Sequence, residues 1–140
     1  INIYLDFKEA SVAAAYKEII NAGMEKNIVV YINEPHQFIE WRKIAPQMPL
    51  MISLPKEIKT GQEMIQLLND YKADVLDGSY EEYNAATVLA AKEKNIPIWA
   101  DIQSGDENTR WEKALSLGLE GLQTDHPKAL IEYLTKKGIR

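Results

Sequence analysis

The sequence contains no cysteine. That absence removes disulfide frameworks, thiolate zinc sites, iron–sulfur clusters and a catalytic thiol together, and leaves the compartment open, periplasmic or cytoplasmic. No apolar run approaches the roughly 18 residues that a membrane span needs, and no charged n-region followed by an apolar h-region opens the chain. Neither G-x-x-x-x-G-K-[ST] nor G-x-G-x-x-G occurs, so phosphate-loop and dinucleotide-binding functions have no support, and no metal-histidine motif is present. Basic residues are too few for a nucleic-acid footprint: 16 Lys and Arg stand against 21 Asp and Glu, a net charge of −5. Lys136, Lys137 and Arg140 make a small basic tail that reads as a solvated helix end.

What is present is a globular composition, 46% hydrophobic and 26% charged in 140 residues, enough for one packed domain. The chain opens directly into an alternating strand pattern at Ile1–Lys8, without a methionine, and the expectation is that sequence upstream has been cut away. Val12, Tyr16, Ile19, Ile20 and Met24 then recur at helical spacing, with Gly23 suited to a left-handed helix end. The β-branched run Ile28–Ile32 predicts a second strand, and Asn33 a cap for the helix that Pro35 begins. Leu50–Leu54 is a third strand, and Thr60 to Glu63 has capping-box order before a helix through Leu68. Val75–Gly78 reads as a fourth, weaker strand. Ser79 to Glu82 reads as a second capping box, opening an alanine-rich helix that runs to about Lys94 and stops at Asn95. Pro97–Ile102 is a fifth strand, and the loop Gln103, Ser104, Gly105 and Asp106 leads to a helix that stops at Gly118. Gly121–Thr124 is a sixth strand, and Pro127 begins a last helix.

Strand followed by helix six times implies crossover units and a parallel sheet, an α/β fold. The strand starts near residues 2, 28, 50, 73, 97 and 119 give a unit of about 23 residues, the grain of a (β/α) barrel or of a doubly wound sheet. Strand faces discriminate between the two. The first strand splits into Ile1, Ile3, Leu5 and Phe7 against Asn2, Tyr4, Asp6 and Lys8; the fifth splits into Ile98, Ala100 and Ile102 against Trp99, Asp101 and Gln103. A solvated edge accounts for the first strand equally well, but not for the fifth. The split fits a barrel, whose polar interior face concentrates at the carboxyl ends of the strands. Eight such units require about 185 residues, so the chain is a partial (β/α)8 barrel of about six units.

Four motifs in order then resemble the glycerophosphodiester phosphodiesterase family, from its third barrel strand to its end. Gly118 through Pro127 is similar to the family's closing G-v-D-G-i-i-T-D-x-P. Trp99 lies where the family has a W-T-V-N strand. The helix Phe38 to Pro46 ends in the family's Ala-Pro, and Asp6 with Lys8 falls on an E-x-K. Three features depart: Asp6 is one methylene shorter than the family's glutamate, Tyr31-Ile32 stands in place of a Ser-Phe, and Asp101 stands where asparagine is common. The resemblance implies that residues 1–140 form the later portion of a phosphodiesterase barrel whose first two strands, carrying most of the catalytic groups, lie outside this segment.

It further implies metal-dependent release of glycerol 3-phosphate and an alcohol from a small glycerophosphodiester. Lys8 would be the catalytic group that neutralises phosphate, Asp6 one carboxylate ligand of a Ca2+ or Mg2+ ion in the complete enzyme, and Trp99 a wall of the substrate pocket. One carboxylate does not hold such an ion, so the segment alone is expected to bind none and to be inactive. Beside these roles stand blander ones: an Asp6–Lys8 surface ion pair, Trp99 as core, Thr124 and Asp125 as fixtures of the last turn, and His36 and His126 as surface groups. The functions left open are a non-catalytic phosphodiester-binding or assembly domain on the same scaffold, and an unrelated small doubly wound domain. A partial barrel also leaves two exposed sheet edges, through which a homo-oligomer can form.

Overall fold

The computed structural model describes residues 2–103 and 106–140. Ile1 of the expected first strand, and Ser104 and Gly105 of the expected fifth loop, lie outside the described residues. Six strands alternate with six helices: β1 Ile3–Phe7, α1 Val12–Asn21, β2 Ile28–Ile32, α2 Pro35–Ile44, β3 Leu50–Ser53, α3 Gly61–Tyr71, β4 Val75–Asp77, α4 Ala85–Glu93, β5 Trp99–Asp101, α5 Glu107–Leu117, β6 Gly121–Gln123 and α6 Pro127–Lys136.

Neighbouring strands are parallel and consecutive. β1, β2, β3 and β4 form one ladder in that order, and β5 pairs with β6. Isolated parallel bridges, Leu76 to Ile98 and Ser79 to Asp101, join β4 to β5. A doubly wound sheet reverses its strand order at a switch point; this one never does, so every crossover leads the same way.

Burial follows the same logic. Every core residue contributed by a helix, among them Val12, Trp41, Met64, Ala91 and Trp111, belongs to one cluster with Phe7, Val30, Ile32, Leu50, Ile52, Leu76, Ile98 and Ala100. The opposite strand parity gathers into a separate small cluster of Val29, Met51 and Val75, with Tyr31 and Trp99 packed on it, and among the described residues no helix residue belongs to it. Helices on one face and strand side chains alone on the other is the section of a barrel wall. Among the described residues β1 and β6 do not pair, and both are poorly covered: Ile3 and Tyr4 are each 40% exposed, and all of β6 is half-buried. The wall is an open arc, a partial (β/α)8 barrel.

Local chemistry sets the boundaries, with three corrections to the expected caps. Glu34, not Asn33, caps α2, through a capping box with Gln37; the Asn33 side chain is drawn off to β1. Ser79 caps only a single 3-10 turn, Tyr80–Glu82, because its oxygen takes the amide of Glu81. α4 starts later, under Asn84, whose side chain accepts from Ala86 and Thr87 while Thr87 returns a bond to the Asn84 amide. Ile20 faces solvent rather than the core. The Thr60–Glu63 capping box, Pro127 at the start of α6, left-handed Gly23 and the helix stops at Asn95 and Gly118 are as expected, and both stop residues also prove to be left-handed.

Gly121 is set by packing. The indole of Trp99, its register partner on β5, lies across it, and any Cβ built there overlaps the indole ring. Gly121→Ala is expected to destabilise the chain by about 1–3 kcal/mol through overpacking. The loss should shrink below about 1 kcal/mol in a Trp99→Leu background, read by urea denaturation of the four variants.

Candidate functional site

The inward parity places its polar side chains at the carboxyl ends of the strands, the end at which barrel enzymes build their sites. β1 contributes Asp6, β3 Ser53, β4 Asp77, β5 Asp101 and β6 Gln123, with Tyr4 and Tyr31 between the apolar floor and this polar rim. Tyr4 stacks on Tyr31, ring centroids 5.8 Å apart at 20°. The Tyr31 hydroxyl shares a 2.8 Å hydrogen bond with Ser53. Burial, and then the charges of Asp77, Tyr31, Asp101 and Asp6, hold the Tyr4 hydroxyl well above its usual range.

Asp6 and Lys8 stand together, as alternation requires, and they hold each other: Nζ lies 3.1 Å from Oδ2. Asn33 donates to the other oxygen, Oδ1, at 2.8 Å and to the Phe7 carbonyl at 2.9 Å. These bonds, Asn33 first and then Lys8, pull the Asp6 carboxyl below its ordinary value. Both partners remain accessible, Lys8 71% and Asp6 42% exposed.

Trp99 lies elsewhere. It packs on Val29, Met51 and Val75, and it lines a cavity of about 420 Å3 with Asn2, Tyr4, Lys26, Asn27 and Pro49, residues at the amino ends of the first three strands. Asp6 and Lys8 do not line that cavity. The structure therefore joins Asp6 with Lys8 and does not join either with Trp99.

The group that sequence reasoning passed over is Asp77. It is 4% exposed. Its Oδ1 accepts a short hydrogen bond from Gln123 Nε2. Burial pushes its carboxyl up to about 6, the neighbouring charges of Asp101 and Glu82 add to that, and bonds from the Gly78 amide and Gln123 oppose it. Burial, then Glu82, also raises Asp101. The signal was available: Val75 and Asp77 share the inward parity, and a Gly follows at the strand end.

Around the last turn, Thr124 makes the fixing bonds, to the His126 amide and to Glu107. His126 is exposed and pairs with Glu107 at 2.8 Å. His36 is exposed in the first turn of α2.

Among the described residues no three His, Asp or Glu side chains converge as a metal site. The Ca2+ or Mg2+ that the family resemblance implies does not fit on these residues alone: Asp6 offers one carboxylate, and both of its oxygens are engaged.

No family profile and no curated protein matches the sequence. Solved structures do. A Silicibacter pomeroyi protein described as a glycerophosphoryl diester phosphodiesterase matches 99% of the chain with a TM-score of 0.77 and 17% identity. A glycerophosphodiester phosphodiesterase from Agrobacterium tumefaciens matches 89% with a TM-score of 0.72 and 13% identity. A phosphodiesterase of Oleispira antarctica, determined with its product sn-glycerol-3-phosphate, matches 96% with a TM-score of 0.71 and 13% identity. The chain has the fold of the glycerophosphodiester phosphodiesterases. It spans about half the length of these three structures, 50%, 53% and 54% respectively, as a partial barrel must. None of its helices is long and apolar enough to cross a membrane, among the described residues.

The Asp6 geometry gives a direct test. Asn33→Ala is expected to move the Asp6 titration upward, toward its ordinary 3.8, in carboxyl 13C NMR. The sign follows from linkage: a lowered folded value contributes stability above 3.8 that is lost as pH falls through the folded value. Asn33→Ala should therefore flatten the acid limb of the stability curve, measured by denaturant midpoint from pH 5 to pH 2.

Proposed function

We propose that this chain is the later part of a glycerophosphodiester phosphodiesterase barrel, whose complete form cleaves a glycerophosphodiester to glycerol 3-phosphate and an alcohol. The observation that carries the reading is the placement of Asp6 and Lys8 on the inward parity, at the carboxyl end of β1, in a fold shared with such enzymes over half their length.

Hydrolysis of a phosphodiester requires that negative charge growing on the phosphate oxygens be met by positive charge. Lys8 supplies an ammonium on a long, exposed stem, and its pairing with Asp6 keeps that charge at the rim until a phosphate competes for it. Asp6 in turn is held by Asn33, so its carboxylate stays at a fixed place when Lys8 moves away. In the complete form the implied divalent cation would take its remaining ligands from residues outside this chain; these 140 residues by themselves are proposed to be inactive. Trp99 is proposed to shape the floor of the substrate space through the inner cluster, from below.

The second reading is a non-catalytic phosphodiester-binding or assembly domain, and one observation favours its assembly side. The rim carries Asp77 and Asp101 besides Asp6, an excess of negative charge that repels a phosphodiester unless something cationic compensates it.

The two readings separate in one assay: glycerophosphocholine with Mg2+ or Ca2+, glycerol 3-phosphate being detected by a coupled dehydrogenase. Any longer natural product that contains this chain is expected to turn over metal-dependently, and the 140-residue chain is not. In that product Asp6→Ala and Lys8→Ala should each lower kcat/KM by about 100-fold or more, the scale of removing one charge-stabilising group. No turnover by that longer product, with or without saturable diester binding, would instead favour the second reading.

The free edges of β1 and β6 are proposed to find a neighbour, since unpaired strand edges template further pairing. Light scattering of the isolated chain is expected to show a dimer or larger species, and a monodisperse monomer with both edge strands protected from hydrogen exchange would oppose this.

A further inference from the structure

The arc is thinnest between β4 and β5. Two isolated bridges join them, with the Leu76 amide on the Pro97 carbonyl at 2.9 Å and the Asp101 amide on the Gly78 carbonyl at 2.9 Å. Between those two bonds, side chains take over from the ladder. Gly78 adopts φ +116°, and its amide is among the groups that favour the Asp77 carboxylate. The Trp99 carbonyl accepts instead from Gln123 Nε2 at 2.8 Å, and the same nitrogen donates to Asp77 Oδ1. One amide group of β6 thus holds the backbone of β5 and the carboxyl of β4.

We propose that Asp77 and Gln123 form a proton-operated latch that fastens the β5–β6 pair to the β1–β4 ladder and sets the width of the inner rim. The proposal concerns the sheet and stands whether or not the chain belongs to a hydrolase.

The groups facing Asp77 decide the direction. Asp101 of β5 and Glu82 of the 3-10 turn confront it with like charge, and it bears in turn on the hydroxyls of Tyr4 on β1 and Tyr83. The Tyr83 hydroxyl donates to the Asp77 carbonyl, on the backbone that carries the carboxyl. Lys8, beyond the end of β1, is paired with Asp6. Gln123 can donate to Asp77 in either protonation state, since a neutral carboxyl keeps an acceptor oxygen. Ionisation therefore adds repulsion and a desolvation cost without creating a new partner.

Opening the junction returns the carboxyl to water and to its ordinary 3.8, against about 6 when closed. A group whose value is raised in the closed form stabilises that form fully below 3.8 and loses this contribution as pH rises through about 6. The latch is fast in mild acid and loosens toward neutral and alkaline pH.

Amide exchange of the intact chain between pH 5 and pH 8, expressed as protection factors corrected for intrinsic rates, reads this directly. Protection of the Leu76 and Asp101 amides, which bridge the junction, is expected to fall about tenfold or more with a midpoint near 6. The Val30 amide, bonded to Pro49 in the β1–β4 ladder, should stay flat. Asp77→Asn keeps the acceptor oxygen and should abolish the pH dependence at the junction. Junction protection that does not vary with pH, or that varies identically in Asp77→Asn, overturns the proposal. Should Asp77→Asn fail to fold, the side-chain amide resonance of Gln123 in the unmodified chain decides. A shift with the same midpoint as the two junction amides supports the latch; an unshifted resonance overturns it.

Discussion

A strand of a parallel sheet has two faces, and a chain that always crosses over in the same sense can cover only one of them with helices. Everything distinctive in this structure follows from that one-sided cover. The outward parity buries itself under six helices, and there the sequence uses large apolar groups: Trp41 and Trp111 with Leu50, Ile98 and Ile102, each at most 1% exposed. The inward parity has no helix to meet. Its lower part packs on itself, through Val29, Met51, Val75 and Trp99. Its upper part is polar, and those polar groups satisfy one another across strands, Tyr31 with Ser53 and Gln123 with Asp77 and Trp99.

Curvature brings the same constraint to the edges. An arc of six strands exposes the interior through the gap between its ends, so β1 and β6 lose cover on the inner face and a pairing partner along one side. Tyr4, 40% exposed in spite of its stack on Tyr31, marks one side of that gap. On the other, Gln123, Leu122 and Thr124 line with Tyr4 and Asn2 a groove of about 830 Å3. The groove is where an eight-stranded wall would continue. Its lining is mixed rather than apolar, and a mixed lining permits an open edge to stay in water without the penalty that a bare hydrophobic seam carries.

The fold was legible because its signals were local and repeated. Period-two alternation in β1 and β5, left-handed Gly118 and Asn95, and the Thr60–Glu63 box each act within a few residues, and six repetitions made the parallel arrangement unavoidable. What was not legible depends on pairs far apart in sequence. Asn33 has every property of a helix cap, and it serves β1 instead because Asp6 and the Phe7 carbonyl lie beside it across the sheet. Ser79 precedes two glutamates in capping-box order, but its oxygen bonds the Glu81 amide and the turn tightens to 3-10, leaving α4 to Asn84. Asp77 sits in the least convincing strand of the sequence; its burial and its partner 46 residues away appear only once β4 and β6 are placed on either side of β5. Trp99, expected as a wall of the pocket, has the inward parity, but parity fixes a face and not a height, and its height is that of the inner floor.

Asp6, where the family that the sequence resembles carries a glutamate, acquires a physical meaning from this geometry. A carboxylate one methylene shorter stays close to the strand, within 2.8 Å of Asn33 at the end of β2, and the tie continues to the Phe7 carbonyl. Such a carboxylate is preorganised, but toward the sheet and toward Lys8 rather than toward open space. A cation approaching it must compete with an ammonium 3.1 Å away, and two positive charges on one carboxylate repel each other. On the proposed function, an anion that drew Lys8 away would free the paired Asp6 oxygen for a cation, and the two binding events would be coupled with the same sign through this one ion pair.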